Sequence, residues 1–125
     1  MTEWVETFHV YPRSQTFEEY FQMTLSGGQG FRVLLHAPLC LRQIVAKRAT
    51  ENNIQIDVEL PSGVSYTFAH AETTTEYILN TADGGTTWHP LAKGSFLLFS
   101  YNGSTIGLVE VALTLRPAPE TVPWA

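Results

Sequence analysis

Hydrophobic and polar residues alternate with a period of two through most of the chain. The pattern is clearest at 54–60, where every second residue is Ile, Val or Leu, and it returns at 64–68 after a Pro-Ser-Gly turn. Such alternation is typical of a strand that has one face on a core and one face in solvent. Similar short runs occur at 2–10, 17–25, 31–36, 74–80 and 105–115. The pattern therefore predicts a succession of short antiparallel strands.

The segment 95–101 differs because its apolar residues fall at odd and even positions alike. A strand that is apolar on both faces belongs inside a sandwich and not at its edge. The Asn102-Gly103 pair that follows is a preferred hairpin turn, since both residues tolerate positive φ. We therefore expect 95–101 to pair with 105–115 as a central part of the fold.

One segment, 39–51, has helical spacing. Pro38 is suited to begin a helix there, and the Asn pair at 52–53 is suited to end it. Strand alternation fails in this segment, whereas a helical repeat fits its apolar residues Leu41, Ile44, Val45 and Ala49. The sequence therefore predicts at most one short helix, near 39–51.

These patterns predict an all-β fold. We expect a jelly-roll-like β-sandwich of about eight short antiparallel strands. With 125 residues the chain has the usual length of one domain, which we place at 1–115. The tail 116–125 contains three prolines and predicts an extended C-terminal arm.

Composition excludes several classes of function. The chain has 7 Lys and Arg against 12 Asp and Glu, a formal net charge of −5. A nucleic-acid surface needs clustered cations, so we expect no nucleic-acid partner. Apolar runs are too short to cross a membrane, and no signal-peptide pattern is present, which predicts cytoplasmic synthesis. Cys40 is the only cysteine, so no intrachain disulfide forms.

The strongest turn signal lies at 81–88, which reads Thr-Ala-Asp-Gly-Gly-Thr-Thr-Trp. It resembles the Asp-box, Ser/Thr-x-Asp-x-Gly-x-Thr-Trp, at every defined position. In sialidases this box is a structural β-turn, and the segment is also similar to hairpins in small β domains of phage and bacterial surface proteins. The resemblance thus implies a hairpin and not an activity. Aspartate and glycine suit such a turn, because one accepts backbone hydrogen bonds and the other adopts positive φ. We assign the turn to Thr81, Asp83, Gly84, Gly85, Thr87 and Trp88.

No pattern predicts a catalytic residue, a cofactor site or a metal site. The histidines lack the spacing of metal ligands, so we expect them to be independent of one another: His9, His36, His70 and His89. Glu18 and Glu19 are adjacent and point to opposite faces of a strand, so they do not converge on a substrate. We therefore predict a protein that is not an enzyme.

The remaining functional signal is aromatic and lies near the two ends of the chain. An indole at the end of a Pro-rich tail gains stability only if it is buried, on its own domain or on a neighbour. We predict docking onto other subunits through Trp4, Pro117, Pro119, Pro123 and Trp124.

Together these features favour a structural component of a phage virion, such as a capsid decoration or a tail accessory subunit. We expect it to be a homo-oligomer within a larger assembly and to be incorporated in the virion. One alternative is a carbohydrate-binding module, in which exposed aromatic rings stack on a glycan. A small enzyme on a jelly-roll scaffold is the third possibility.

Overall fold

The structure, a computed structural model, describes residues 2–48, 53–71, 76–80, 89–103 and 106–118. Within these residues the chain forms ten strand segments in two sheets and no helix. The prediction of an all-β sandwich is confirmed.

The strands are short and follow one another closely along the chain. In order they are β1 (Glu3–Val10), β2 (Phe17–Leu25), β3 (Gln29–Leu35), β4 (Leu39–Arg48), β5 (Asn53–Glu59), β6 (Ser65–Ala71), β7 (Glu76–Asn80), β8 (His89–Leu91), β9 (Phe96–Asn102) and β10 (Gly107–Pro117). The first sheet has the order β1-β3-β9-β5-β6. The second has the order β2-β10-β4-β7, with β8 also paired to β4. Neighbouring strands are antiparallel except β1 and β3, which are parallel.

The inner faces of the two sheets form one core. In the first sheet β9 is the central strand, as its two apolar faces predict. The predicted pairing of 95–101 with 105–115 is wrong, because β9 pairs with β3 and β5 whereas β10 lies in the second sheet. The Phe99 ring of β9 stacks on Phe31 of β3, with ring centroids 5.0 Å apart. Burial of each large apolar side chain stabilises the fold by roughly 1.5–3 kcal/mol. The core residues include Val33, Ile54, Ile56, Leu97 and Tyr101 from the first sheet, and Phe21, Leu25, Leu41, Ile44, Val109, Val111, Leu113 and Leu115 from the second.

The predicted helix near 39–51 is wrong, because Leu39–Arg48 form the strand β4. Opposite β10, this strand contains one extra residue, Arg42, which makes a β-bulge. A one-residue insertion shifts the alternation, so Leu41 and Ile44 are both fully buried although they are three positions apart. The bulge thus reproduces the spacing of a helix within a strand.

The segment 81–88 connects two strands that lie end to end. Both β7 and β8 pair antiparallel with β4 on the same side, and in the part of the chain that the structure describes they do not pair with each other. Residues 81–88 lie outside the described residues, so the Asp-box turn and its six assigned residues stay a prediction.

The last strand extends into the predicted arm. β10 runs to Pro117, beyond the expected domain boundary at 115, and Pro117 pairs with Leu39. The amide of Ala118 then donates a hydrogen bond of 3.1 Å to the carbonyl of Pro38. The rest of the arm, 119–125, lies outside the described residues.

The bulge in β4 leads to a testable prediction. Deletion of Arg42 removes the extra residue and leaves the residues on either side of it on their present faces. We expect this variant to fold, with a free energy of unfolding within about 2 kcal/mol of the parent, the range of common point changes. Chemical denaturation followed by circular dichroism measures this free energy.

A deletion without a bulge to absorb it is the matched control. Removing Ala112 from β10 turns Leu113 and Leu115 from the core to the solvent face, so this variant should not fold. A protein that tolerates the loss of Ala112 but not that of Arg42 would show that the bulge has been assigned to the wrong place.

Candidate binding groove on the second sheet

The outer face of the second sheet carries a shallow groove, referred to below as the acidic groove. It is lined by Glu18 and Tyr20 of β2, Glu110 and Ala112 of β10, and Val45 of β4, and it has a volume of about 230 Å³. All five residues come from three adjacent strands of one sheet. The groove is therefore a feature of the sheet itself and not of a loop.

The alternation of β10 places these residues on the outside. Every second residue of this strand is buried in the core, so Glu110 and Ala112 point away from it. The strand register sets Tyr20 and Val45 on either side of Ala112 in one cross-strand row. The alanine side chain is small and its two neighbours in the row are larger, so the surface of the sheet is lowest at Ala112. This low point is the floor of the groove.

Tyr20 is held in place by a short hydrogen bond. Its hydroxyl donates to Glu110 Oε2 at 2.5 Å, and Gln22 Oε1 lies 3.2 Å from the same hydroxyl. This hydrogen bond, with smaller contributions from desolvation and from the negative charge of Glu110, raises the pKa of Tyr20 above its ordinary value of 10.0. At neutral pH Tyr20 is therefore a neutral donor, and the residue remains 53% exposed.

The groove combines carboxylates with an aromatic ring. The carboxylates are those of Glu18 and Glu110, and the ring is that of Tyr20. Carboxylates bind cationic groups through charge-assisted hydrogen bonds, and an aromatic face attracts cations as well. The arrangement is suited to hold a positively charged group.

Sequence reasoning named Glu18 but did not find this site. Glu18 and Glu19 do lie on opposite faces of β2, as predicted, and the partner of Glu18 in the groove is Glu110 of β10. The alternation of each strand shows which residues point outward, but not that β2 and β10 are neighbours. That neighbour relation is what brings the two carboxylates to one groove.

The structure also brings two histidines together. His9 Nδ1 and His36 Nε2 are 2.8 Å apart, so the prediction of independent histidines is wrong for this pair. Among the residues that the structure describes, no group of three or more His, Cys, Asp or Glu side chains is arranged to hold a metal ion.

Only some of the predicted docking residues lie among the described residues. Trp4 lies half-buried on β1, and its ring approaches the backbone of Gly30 so closely that a Cβ there would be 2.8 Å from it. Pro117 is exposed at the end of β10, whereas Pro119, Pro123 and Trp124 lie outside the described residues. Docking through these residues and assembly into a homo-oligomer stay predictions.

In the described part of the chain, no helix has the length and apolar character needed to cross a membrane.

Comparison with known proteins yields a distant structural neighbour. No family model and no curated protein matches this chain. The solved structure of PliG from Aeromonas hydrophila, a periplasmic lysozyme inhibitor of g-type lysozyme, aligns with a TM-score of 0.41 and 10% sequence identity, over 89% of this chain and 98% of that chain. This description contradicts the prediction of a phage virion component and does not match incorporation in a virion.

The hydrogen bond between Tyr20 and Glu110 can be tested by titration. In a Glu110→Gln variant the main cause of the raised pKa is removed, so the pKa of Tyr20 should fall toward 10.0. The titration is followed by NMR of the tyrosine ring protons, with a Tyr20→Phe variant to assign the signal.

Glu59→Gln is the matched control, since it removes a carboxylate from β5 in the other sheet. It should leave the pKa of Tyr20 unchanged. An equal effect of both substitutions would mean that general charge, and not the hydrogen bond, sets this pKa.

Proposed function

We propose that this chain is a non-enzymatic protein-binding domain that takes a basic segment of its partner into the acidic groove. The observation that carries this proposal is the exposed Tyr20, fixed by its hydrogen bond to Glu110 beside the floor formed by Ala112. A lysine or arginine side chain is the group that this arrangement would hold.

The size of the groove supports a single side chain as its occupant. Sites for whole small-molecule ligands commonly have volumes of about 300–1,000 Å³. The acidic groove, at about 230 Å³, is smaller than that and lies open on a sheet face. A side chain that projects from another protein surface fits such a hollow, because the rest of its protein packs on the surrounding sheet.

The chemistry of the lining supports a cation. A guanidinium or ammonium group over the ring of Tyr20 gains a cation–π attraction. The same group can form an ion pair with the carboxylate of Glu18 or Glu110. Arginine adds planar, bidentate geometry. Since Tyr20 is already fixed by Glu110, little side-chain entropy is lost when the partner binds.

The net charge of the chain also favours a basic partner. A net charge of −5 attracts basic partners at long range and speeds their encounter. Surface attraction of this kind is screened by salt, so binding should weaken as ionic strength rises.

Binding of a short arginine-rich peptide tests the proposal. The full chain should bind this peptide more tightly than a glutamate-rich peptide of the same length, as measured by isothermal titration calorimetry. Glu110→Gln should weaken binding by about tenfold, the effect of losing a charge-assisted hydrogen bond worth on the order of 1.4 kcal/mol.

Glu59→Gln changes the net charge by the same amount on the other sheet and should alter binding far less. If the two substitutions weaken binding equally, the attraction comes from overall charge and the acidic groove is not the site. If the arginine-rich peptide does not bind the parent chain, the proposed function is wrong.

A further inference from the structure

The described strands leave four sheet edges, and only the edge formed by β2 is both long and regular. At the edges of the first sheet, β1 contains the extra residue Val5 and β6 contains the extra residue Phe68. At the far edge of the second sheet, β7 has five residues and β8 has three, one of which is Pro90. Bulges, short strands and prolines protect an edge against pairing with another chain. These three edges are therefore poorly suited to such pairing.

The edge of β2 lacks these protective features over its nine residues, Phe17–Leu25. β2 pairs with β10 without a register shift, and it contains no proline, lysine or glycine. In the part of the chain that the structure describes, no strand pairs with its other side. Because the backbone amides and carbonyls of successive residues point alternately to the two sides of a strand, about half of those in β2 point away from β10. A further strand can pair with them.

The inner face of β2 carries one charged residue, Glu19, and an inward charge can also protect an edge. In this chain the carboxylate of Glu19 forms an ion pair with Arg13 at 3.0 Å, so its charge is neutralised without a partner protein. The neighbouring inner residues Phe17 and Met23 pack on the core and are only partly buried. A strand added at this edge would bury more of their apolar surface, which favours association.

We propose that β2 pairs with β2 of a second copy of this chain, so that the second sheets of the two copies join into one continuous sheet. A two-fold axis that keeps both inner faces on the same side of the joined sheet makes the two strands antiparallel. Pairing over the full length of the strand then sets Phe21 opposite its own copy. Nine antiparallel pairs supply about eight to ten backbone hydrogen bonds, since every second pair exchanges two.

The side chains of β2 complement one another in this register, which is why a second copy is the partner that fits. At most one residue of each pair is charged, and the pairs are Glu18–Thr24, Tyr20–Gln22, Glu19–Met23, Phe17–Leu25 and Phe21–Phe21. A slip of one residue would set inner residues opposite outer ones. Pairing centred on Glu19 would set two carboxylates against each other. The full-length register avoids both faults.

The net charge of −5 on each chain opposes the association of two copies. Salt screens this repulsion, so the dimer should become tighter as ionic strength rises. The opposite dependence is expected for a basic peptide in the acidic groove. Dimer formation does not rest on the proposed function, and the salt dependence distinguishes the two.

Sedimentation velocity of the full chain over a range of concentrations tests for the dimer. Thr24 is exposed on the outer face of β2, so its replacement should leave the fold intact. Thr24→Glu sets a carboxylate against Glu18 of the second copy, twice in each dimer, and should weaken the dimer about tenfold. Thr24→Lys sets an ammonium group against the same carboxylate and should tighten the dimer by about the same factor.

Lys93→Gln is the matched control, because it changes the net charge by the same amount as Thr24→Glu at an exposed position between β8 and β9. It should weaken the dimer far less. Amide hydrogen exchange above and below the dissociation constant should show protection of β2 in the dimer and no change in β6. Circular dichroism of every variant establishes that the fold is retained.

Three results would overturn the proposal. The first is a chain that stays monomeric at every concentration and salt level, which would leave the edge of β2 to a strand of another protein. The second is a dimer that Thr24→Glu and Lys93→Gln weaken equally. The third is a dimer in which the amides of β2 gain no protection.

Discussion

The structure depends most on the pairing of β10 with a strand on each side. β10 pairs with β2 and with β4 over most of its length, and its inward side chains Val109, Val111, Leu113 and Leu115 are fully buried against the first sheet. Because successive side chains of a strand point to opposite faces, burial of this inner set also fixes the outer set. The acidic groove is built from that outer set, so the core that stabilises the sandwich also positions Glu110 and Ala112.

The same coupling of core and surface explains why the groove is ordered. Its residues stand on three paired strands, and such elements hold side chains more closely than loops do. The hydrogen bond from Tyr20 to Glu110 joins β2 to β10 across the outer face. On the first sheet, the pairing of β1 with β3 has a comparable effect on His9 and His36. In both places the pairing of two strands brings together side chains that are distant in sequence.

The sequence predicted the strands well wherever alternation is regular, as at 17–25, 54–60 and 105–115. It failed at β4, because the extra residue Arg42 shifts the alternation and imitates a helical repeat. Alternation shows which face a residue occupies but not which strand lies beside it. That Glu18 and Glu110 line one groove, and that His9 contacts His36, therefore could not be predicted. A local pattern carries no information on contacts between segments that are far apart in the chain.

We propose that the outer face of the second sheet holds a cation. Amide chemical-shift mapping by NMR, with argininamide added to the unmodified chain, locates such binding directly. We expect saturable shifts centred on Tyr20, Glu110 and Val45, with little change in the first sheet. Shifts that do not saturate, or that centre on the first sheet, would contradict it.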